Sequence, residues 1–254
     1  MRYALLLCCL AMLAACHSPQ QVAATPQRPT VSYDTNTTAI DTFEIETGLT
    51  VDPDDSLDTA TTLKYGAGEQ TELFLGWSPR QVIQLPGPDV RGPSDVLLGT
   101  RHQLWAGDAD TPSAAVVVTG KLPTASRSKG LSSGEIDLRF GAILNHQFGS
   151  TNANAFYQYG ALGNAAGAGT ISEHTGTLTA GWSINDRIGS FVELAGVAIP
   201  SQNLESLFVI LGATYAASTS TILDAGVTVG LSTDAPDLQL FVGLTHNFGR
   251  PTPR

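Results

Sequence analysis

Between Glu135 and Phe148 the chain reads Glu-Ile-Asp-Leu-Arg-Phe-Gly-Ala-Ile-Leu-Asn-His-Gln-Phe, with Glu135, Asp137 and Arg139 on one parity and Ile136, Leu138, Phe140, Ala142, Leu144 and Phe148 on the other. A strict two-residue period predicts a β-strand with two chemically opposite faces. At about 3.4 Å per residue that strand would be roughly 45 Å long, ample to cross a bilayer when tilted. Alternating segments bounded by Gly, Pro, Asn, Asp or Ser recur near residues 40–51, 57–66, 70–78, 94–105, 113–123, 135–148, 153–162, 175–184, 188–199, 206–216, 221–231 and 237–248. No segment has a convincing helical period.

The connections predict the architecture. Pro79 to Pro93, Thr124 to Gly134 and Gly163 to His174 are long, whereas Asn185 to Arg187 and Ala217 to Ser220 are short. Alternating long and short connections between amphipathic strands are what an up-and-down transmembrane β-barrel requires. The expected fold is therefore all-β, an antiparallel barrel of about twelve strands with short periplasmic turns, longer extracellular loops and both termini periplasmic.

Which residues share a face sharpens this expectation. The more apolar parity carries Phe43, Ile45 and Leu49, then Val96 and Leu98, Val116 and Val118, and Val192 and Leu194. It continues with Leu207, Val209 and Leu211, Val227 and Val229, and Leu238, Leu240, Val242 and Leu244. No Asp, Glu, Lys or Arg falls on it within these segments. A charge on a lipid face costs about 2 to 4 kcal/mol at mid-bilayer, so this parity is assigned to lipid. Tyr65, Phe148, Trp182, Tyr215 and Phe248 lie on it at strand ends, as an interfacial girdle would, and Trp77 lies on it at the opposite end; Trp105 is off by one residue. The lumen-lining candidates are Glu44, Glu46, Lys64, Glu72, Asp95, Arg101, Lys121, Glu135, Asp137, Arg139, Glu193 and Asp224. Inward carboxylates imply a wet lumen. They would either line a passage whose acidic excess disfavours anions or form salt-bridge networks that plug a narrow barrel.

The ends add a compartment. Residues 1–15 pair a basic start at Arg2 with a short apolar run, the pattern of a secretory signal, and Leu13-Ala14-Ala15-Cys16 resembles a bacterial lipobox, which implies lipid attachment at Cys16. Residues 16–38, rich in Pro, Gln, Thr and Ala, read as a lipidated flexible tether, 39–248 as the barrel and 249–254 as a periplasmic tail. All three cysteines lie in the first sixteen residues, so no internal disulfide is expected beyond them. The net charge of −10, with 13 scattered Lys and Arg, argues against a nucleic-acid partner.

His102, His146 and His246 share the outward parity near the turn side, where an interfacial polar ring is the expectation rather than a metal site. A barrel phospholipase would place Ser and His near the outer rim, yet the strand histidines lie at the other end and none is followed two residues later by Ser. No Gly-x-Ser-x-Gly, phosphate-cradling loop or cysteine metal spacing is present, so neither an enzyme nor a cofactor is expected.

At Asp95 to Leu104, at Lys121-Leu122-Pro123-Thr124 and at Asp224 to Phe248 the chain resembles the outer-membrane transporter family named after the meta-pathway of phenol degradation. The resemblance implies an outer-membrane barrel that moves small, often aromatic or hydrophobic compounds. The expected partners are membrane lipids, a small-molecule solute, and the barrel-assembly and lipoprotein-sorting machinery. The alternative is a soluble β-rich lipoprotein with a binding or structural role, which would bury the apolar parity and expose the charged one.

Overall fold

In the computed structural model residues 22–53, 56–83 and 89–249 are described. The strands are β1 (Phe43–Asp52), β2 (Ser56–Asp58), β3 (Thr61–Gly68), β4 (Thr71–Trp77), β5 (Gln81–Ile83), β6 (Val90–Gly92), β7 (Val96–Trp105) and β8 (Ser113–Leu122). They continue with β9 (Asp137–Phe148), β10 (Thr151–Gly163), β11 (Thr170–Ser183), β12 (Ile188–Ile199), β13 (Leu204–Ser218), β14 (Thr221–Gly230) and β15 (Leu238–Asn247). Twelve of them, all but β2, β5 and β6, pair antiparallel with their neighbours around a ring that β15 closes against β1. Glu44 stands opposite Asn247 in the closing seam and Val51 opposite Leu240, so the ring itself has no open edge.

β2, β5 and β6 pair in series from Thr50–Asp52 of β1 and carry two hairpins beyond the barrel. The segment from Pro79 to Pro93, expected as a loop, thus contains strand. Likewise β10 and β11 run on to Gly163 and from Thr170, so the long connection expected over Gly163 to His174 shrinks to 164–169. Its residues, Thr, Ile and Ser around Glu173, still alternate, but too few of them are apolar to register as a strand by sequence.

One rim of the barrel holds the short turns and the other the longer loops. At the turn rim Gly149 adopts φ +60°, the left-handed conformation that lets β9 reverse into β10 across two residues.

The outward parity is the predicted one. Leu98, Val116, Leu194, Leu207, Leu211, Val229, Leu240 and Val242 are all exposed, as are Phe148, Trp182, Tyr215 and Phe248 at the turn rim. Among the described residues of the twelve barrel strands only Glu205, at the loop end of β13, places a charge on this face. Trp105 joins it through a bulge: the register slips between Gln103 and Trp105, which turns the indole outward, and its N–H donates to the Pro112 carbonyl (2.7 Å). A soluble sandwich would show the reverse distribution. Leu211, outward at the middle of β13 between Val192 and Val227, provides a direct check. Leu211→Arg should cost about 2 to 4 kcal/mol of folding stability in lipid, read as a lower denaturant midpoint, while Leu211→Phe should be near neutral.

Candidate functional site: a plugged lumen

The inward parity of the barrel encloses residues 22–42. This corrects the expectation of a flexible tether over the described part of 16–38, whereas Cys16 and the signal lie outside the described residues. The segment enters at the turn rim, where the Ala24 amide donates to the Thr219 carbonyl, rises to mid-barrel at Val31 to Tyr33 and returns to Phe43. It carries no regular structure because its backbone donors are satisfied by the wall instead of by each other.

Four buried glutamates do this. Glu44 accepts from the Thr25 amide (2.9 Å), and Glu46 from those of Gln27 (2.8 Å) and Arg28 (3.1 Å). Glu193 accepts from the Val31 (2.7 Å) and Ser32 (3.3 Å) amides and Glu72 from that of Thr38 (2.8 Å). A hydroxyl backs three of them: Thr25 on Glu44, Ser32 on Glu193 and Thr38 on Glu72. The Asn154 amide donates to the Tyr33 carbonyl (3.0 Å) and that of Gln103 to the Thr35 carbonyl (3.1 Å). Each charge-assisted bond contributes about 1.5 to 3 kcal/mol, so the segment is a seated plug rather than a passing strand. At Gly66 the return arm runs so close that a Cβ would stand 2.0 Å from the Ala39 carbonyl oxygen; glycine is the residue that admits it.

Among the predicted lumen residues the structure forms three groups. In the lower group Lys64 bridges Glu44 (2.5 Å) and Glu46 and also donates to the Thr25 carbonyl (2.6 Å), while Arg28 of the plug approaches Asp224 at 3.7 Å. In the middle Arg101 pairs with Glu72 at 3.1 Å and lies over the Tyr33 ring, 5.9 Å from its centre. Tyr33 in turn packs on Phe74 and Phe156, at ring separations of 5.9 and 5.6 Å. With Ala115, Val117 and Ile143 these rings form an apolar cluster inside the barrel. The wet lumen expected from the charges is thus corrected: at this height it is filled by hydrocarbon and plug. Gly99 contributes by leaving room for Phe74, whose ring edge lies 2.2 Å from where a Cβ would be.

At the loop rim a chain of ion pairs runs Asp95–Lys121 (3.4 Å), Lys121–Asp137 (3.0 Å), Asp137–Arg139 (3.8 Å) and Arg139–Glu173 (2.7 Å). Asp95 also accepts from the Ala125 amide and the Ser132 hydroxyl, which folds loop 123–136 over the mouth and buries Leu131. Two predicted lining residues lie just outside the wall strands: Asp95 immediately precedes β7, and Glu135, two residues before β9, sits in the rim loop beside Gly163. Sequence reasoning missed Glu173, because its segment was taken for a loop, and the plug with Tyr33, because a stretch without periodicity reads as linker.

The histidines face outward near the turn rim. His102 and His246 meet the hydroxyls of Thr71 and Thr221 through Nδ1 (2.9 Å each), and His146 stacks edge-on against Phe148. Among the described residues no group of His, Cys, Asp or Glu is arranged to hold a metal.

Two solved structures are similar to this one. An outer membrane channel from Pseudomonas putida F1 is 10% identical with a TM-score of 0.70, over 86% of this chain and 100% of that one. The NanC porin is 8% identical with a TM-score of 0.56, over 80% of this chain and 98% of that one. At these identities the likeness concerns the fold. No curated protein sequence is significantly similar. The sequence profile of one family covers residues 19–248, from within the N-terminal segment to the last strand, and the chain belongs to that family, described as the MetA-pathway of phenol degradation.

Proposed function

We propose that the protein is an outer-membrane channel for small molecules, passing compounds with an aromatic or otherwise hydrophobic body rather than catalysing a reaction on them. The observation that carries this reading is a closed twelve-strand ring with a lipid-compatible outer face that encloses a cavity of about 570 Å³ at its loop mouth. Support for the channel role comes from the likeness to the P. putida outer membrane channel, and support for the solute class from the phenol-degradation family and from the Tyr33, Phe74 and Phe156 rings inside the lumen. The same reading places both termini in the periplasm, since they leave from the rim with the short turns. There a lipid on Cys16 would anchor to the inner leaflet of the outer membrane.

The test is uptake into liposomes carrying the purified, heat-modifiable barrel. A small uncharged aromatic should enter faster than into empty vesicles. Equal rates overturn the transport reading.

A further inference from the structure

Two cavities lie one above the other in the barrel. The upper, about 570 Å³, opens at the loop mouth among Asp95, Lys121, Arg139, Ser132 and Leu131. The lower, about 170 Å³, lies between the plug and the wall of β1, β3, β4 and β7, lined by Glu46, Thr62, Lys64, Glu72 and Phe74. Only Val31, Tyr33 and Leu97 border both.

We propose that solutes move beside a plug that stays seated, through a neck formed by Val31, Tyr33 and Leu97, and that this neck selects uncharged molecules. The inference rests on the channel reading and deepens it by naming the route and the residues that discriminate.

The hydrogen bonding of the plug is one-sided at this height, although Phe74 and Arg101 of the facing wall pack on Tyr33. Glu193 of β12 and Asn154 of β10 grip Val31, Ser32 and Tyr33, whereas Thr62, Gly76 and Leu97 of the facing wall make no hydrogen bond to the plug among the described residues. Gly76 adds space there, because the nearest atoms to a Cβ at that position would be at ordinary contact distance. Charges stand above the neck, at Asp95, Lys121 and Arg139, and below it, at Glu46, Lys64 and Glu72. The neck itself offers two aliphatic side chains and a tyrosine ring. An anion crossing it sheds water without gaining a partner, and for a cation the Tyr33 ring is already engaged by Arg101, whereas a neutral solute loses little and an apolar one gains contact.

Thiol accessibility tests this without requiring flux. The sequence has no cysteine after Cys16, so the parent chain is the blank for Thr62→Cys in the lower cavity. Folded protein would be treated with methyl methanethiosulfonate, which is neutral, and with its sulfonatoethyl and trimethylammonioethyl analogues, which are charged. Rates are normalised to Ser128→Cys on the exposed loop. We expect the neutral reagent to label Thr62→Cys at least about tenfold faster than either charged one, and Leu97→Ala to raise the charged rates and close that gap. Because no hydrogen bond to the plug involves the Leu97 side chain, the variant leaves the plug's hydrogen bonds intact. Thr177→Cys, buried on the opposite wall in β11 two residues from Thr179, whose hydroxyl meets that of Ser32 of the plug (3.1 Å), reports the plug's position and should stay unlabelled throughout.

Equal rates for the three reagents, no response to Leu97→Ala, or labelling of Thr177→Cys in step with Thr62→Cys would each overturn the neck. If labelling behaves as expected but liposomes show no uptake, the channel reading fails while the neck stands; uptake with indiscriminate labelling fails the neck alone.

Discussion

Removing residues 22–38 should convert a nearly closed barrel into an open, cation-selective pore. In planar bilayers the shortened chain is expected to conduct roughly tenfold more than the full chain, because ion flow through a narrow lumen scales steeply with the free cross-section and the plug spans it from β12 to β1. Selectivity follows from what remains. Glu44, Glu46, Glu72, Asp95, Asp137, Glu173, Glu193 and Asp224 would face water with only Lys64, Arg101, Lys121 and Arg139 opposing them, since Arg28 leaves with the plug. The reversal potential under a salt gradient should therefore have the sign of cation permeation. An unchanged conductance would show that the segment does not obstruct the pore, and anion selectivity would show that the carboxylates do not set its field.

Lys64→Met should produce the largest loss of stability from a single substitution. The Lys64 side chain is buried, and its ammonium is held between Glu44 and Glu46 with the Thr25 carbonyl as a third acceptor. Those carboxylates also hold the amides of Thr25, Gln27 and Arg28, so the cation is the centre around which the lower half of the plug is arranged. Methionine keeps most of the volume but leaves two buried carboxylates facing each other, and breaking such a cluster from one side costs about 3 to 5 kcal/mol. The denaturant midpoint of the folded, unboiled gel band should fall accordingly. Adding Glu44→Gln and Glu46→Gln to the same chain should recover a large part of the loss, because the uncompensated charge is then gone. A midpoint unchanged by Lys64→Met would mean that the cluster is already hydrated and the plug loosely held.

The alternation of Leu207, Val209 and Leu211, or of Leu238, Leu240, Val242 and Leu244, was sufficient to assign strand and face, while the membrane reading also needed the number of such segments and the aromatics at their ends. A lipid bilayer tolerates charge on one side only, and a two-residue period translates that rule directly into sequence. The inward placement of Glu44, Lys64, Arg101 and Glu193 follows from the same parity. What escaped was position along the strand and everything contributed by a partner from elsewhere in the chain. Glu135 shares its parity with Asp137, yet the strand starts two residues later because loop 123–136 is held to Asp95. Trp105 breaks parity in sequence and regains it through a bulge, a feature of pairing between two strands that neither strand encodes alone.

The plug marks the clearest division. One clue to it was present, since inward carboxylates outnumber inward cations and a buried carboxylate needs donors from somewhere. The donors are backbone amides of Thr25, Gln27, Arg28, Val31, Ser32 and Thr38, which every residue but proline possesses and no composition or period can reveal. The sequence by itself thus determined a barrel of about twelve strands and the face that regularly paired strand residues present, because those depend on local periodicity and on solvent. Only the tertiary structure decided that the lumen is filled, and by which segment. Those depend on hydrogen bonds and contacts between residues as distant as Val31 and Glu193, and Tyr33 and Phe156, which meet only when the ring closes.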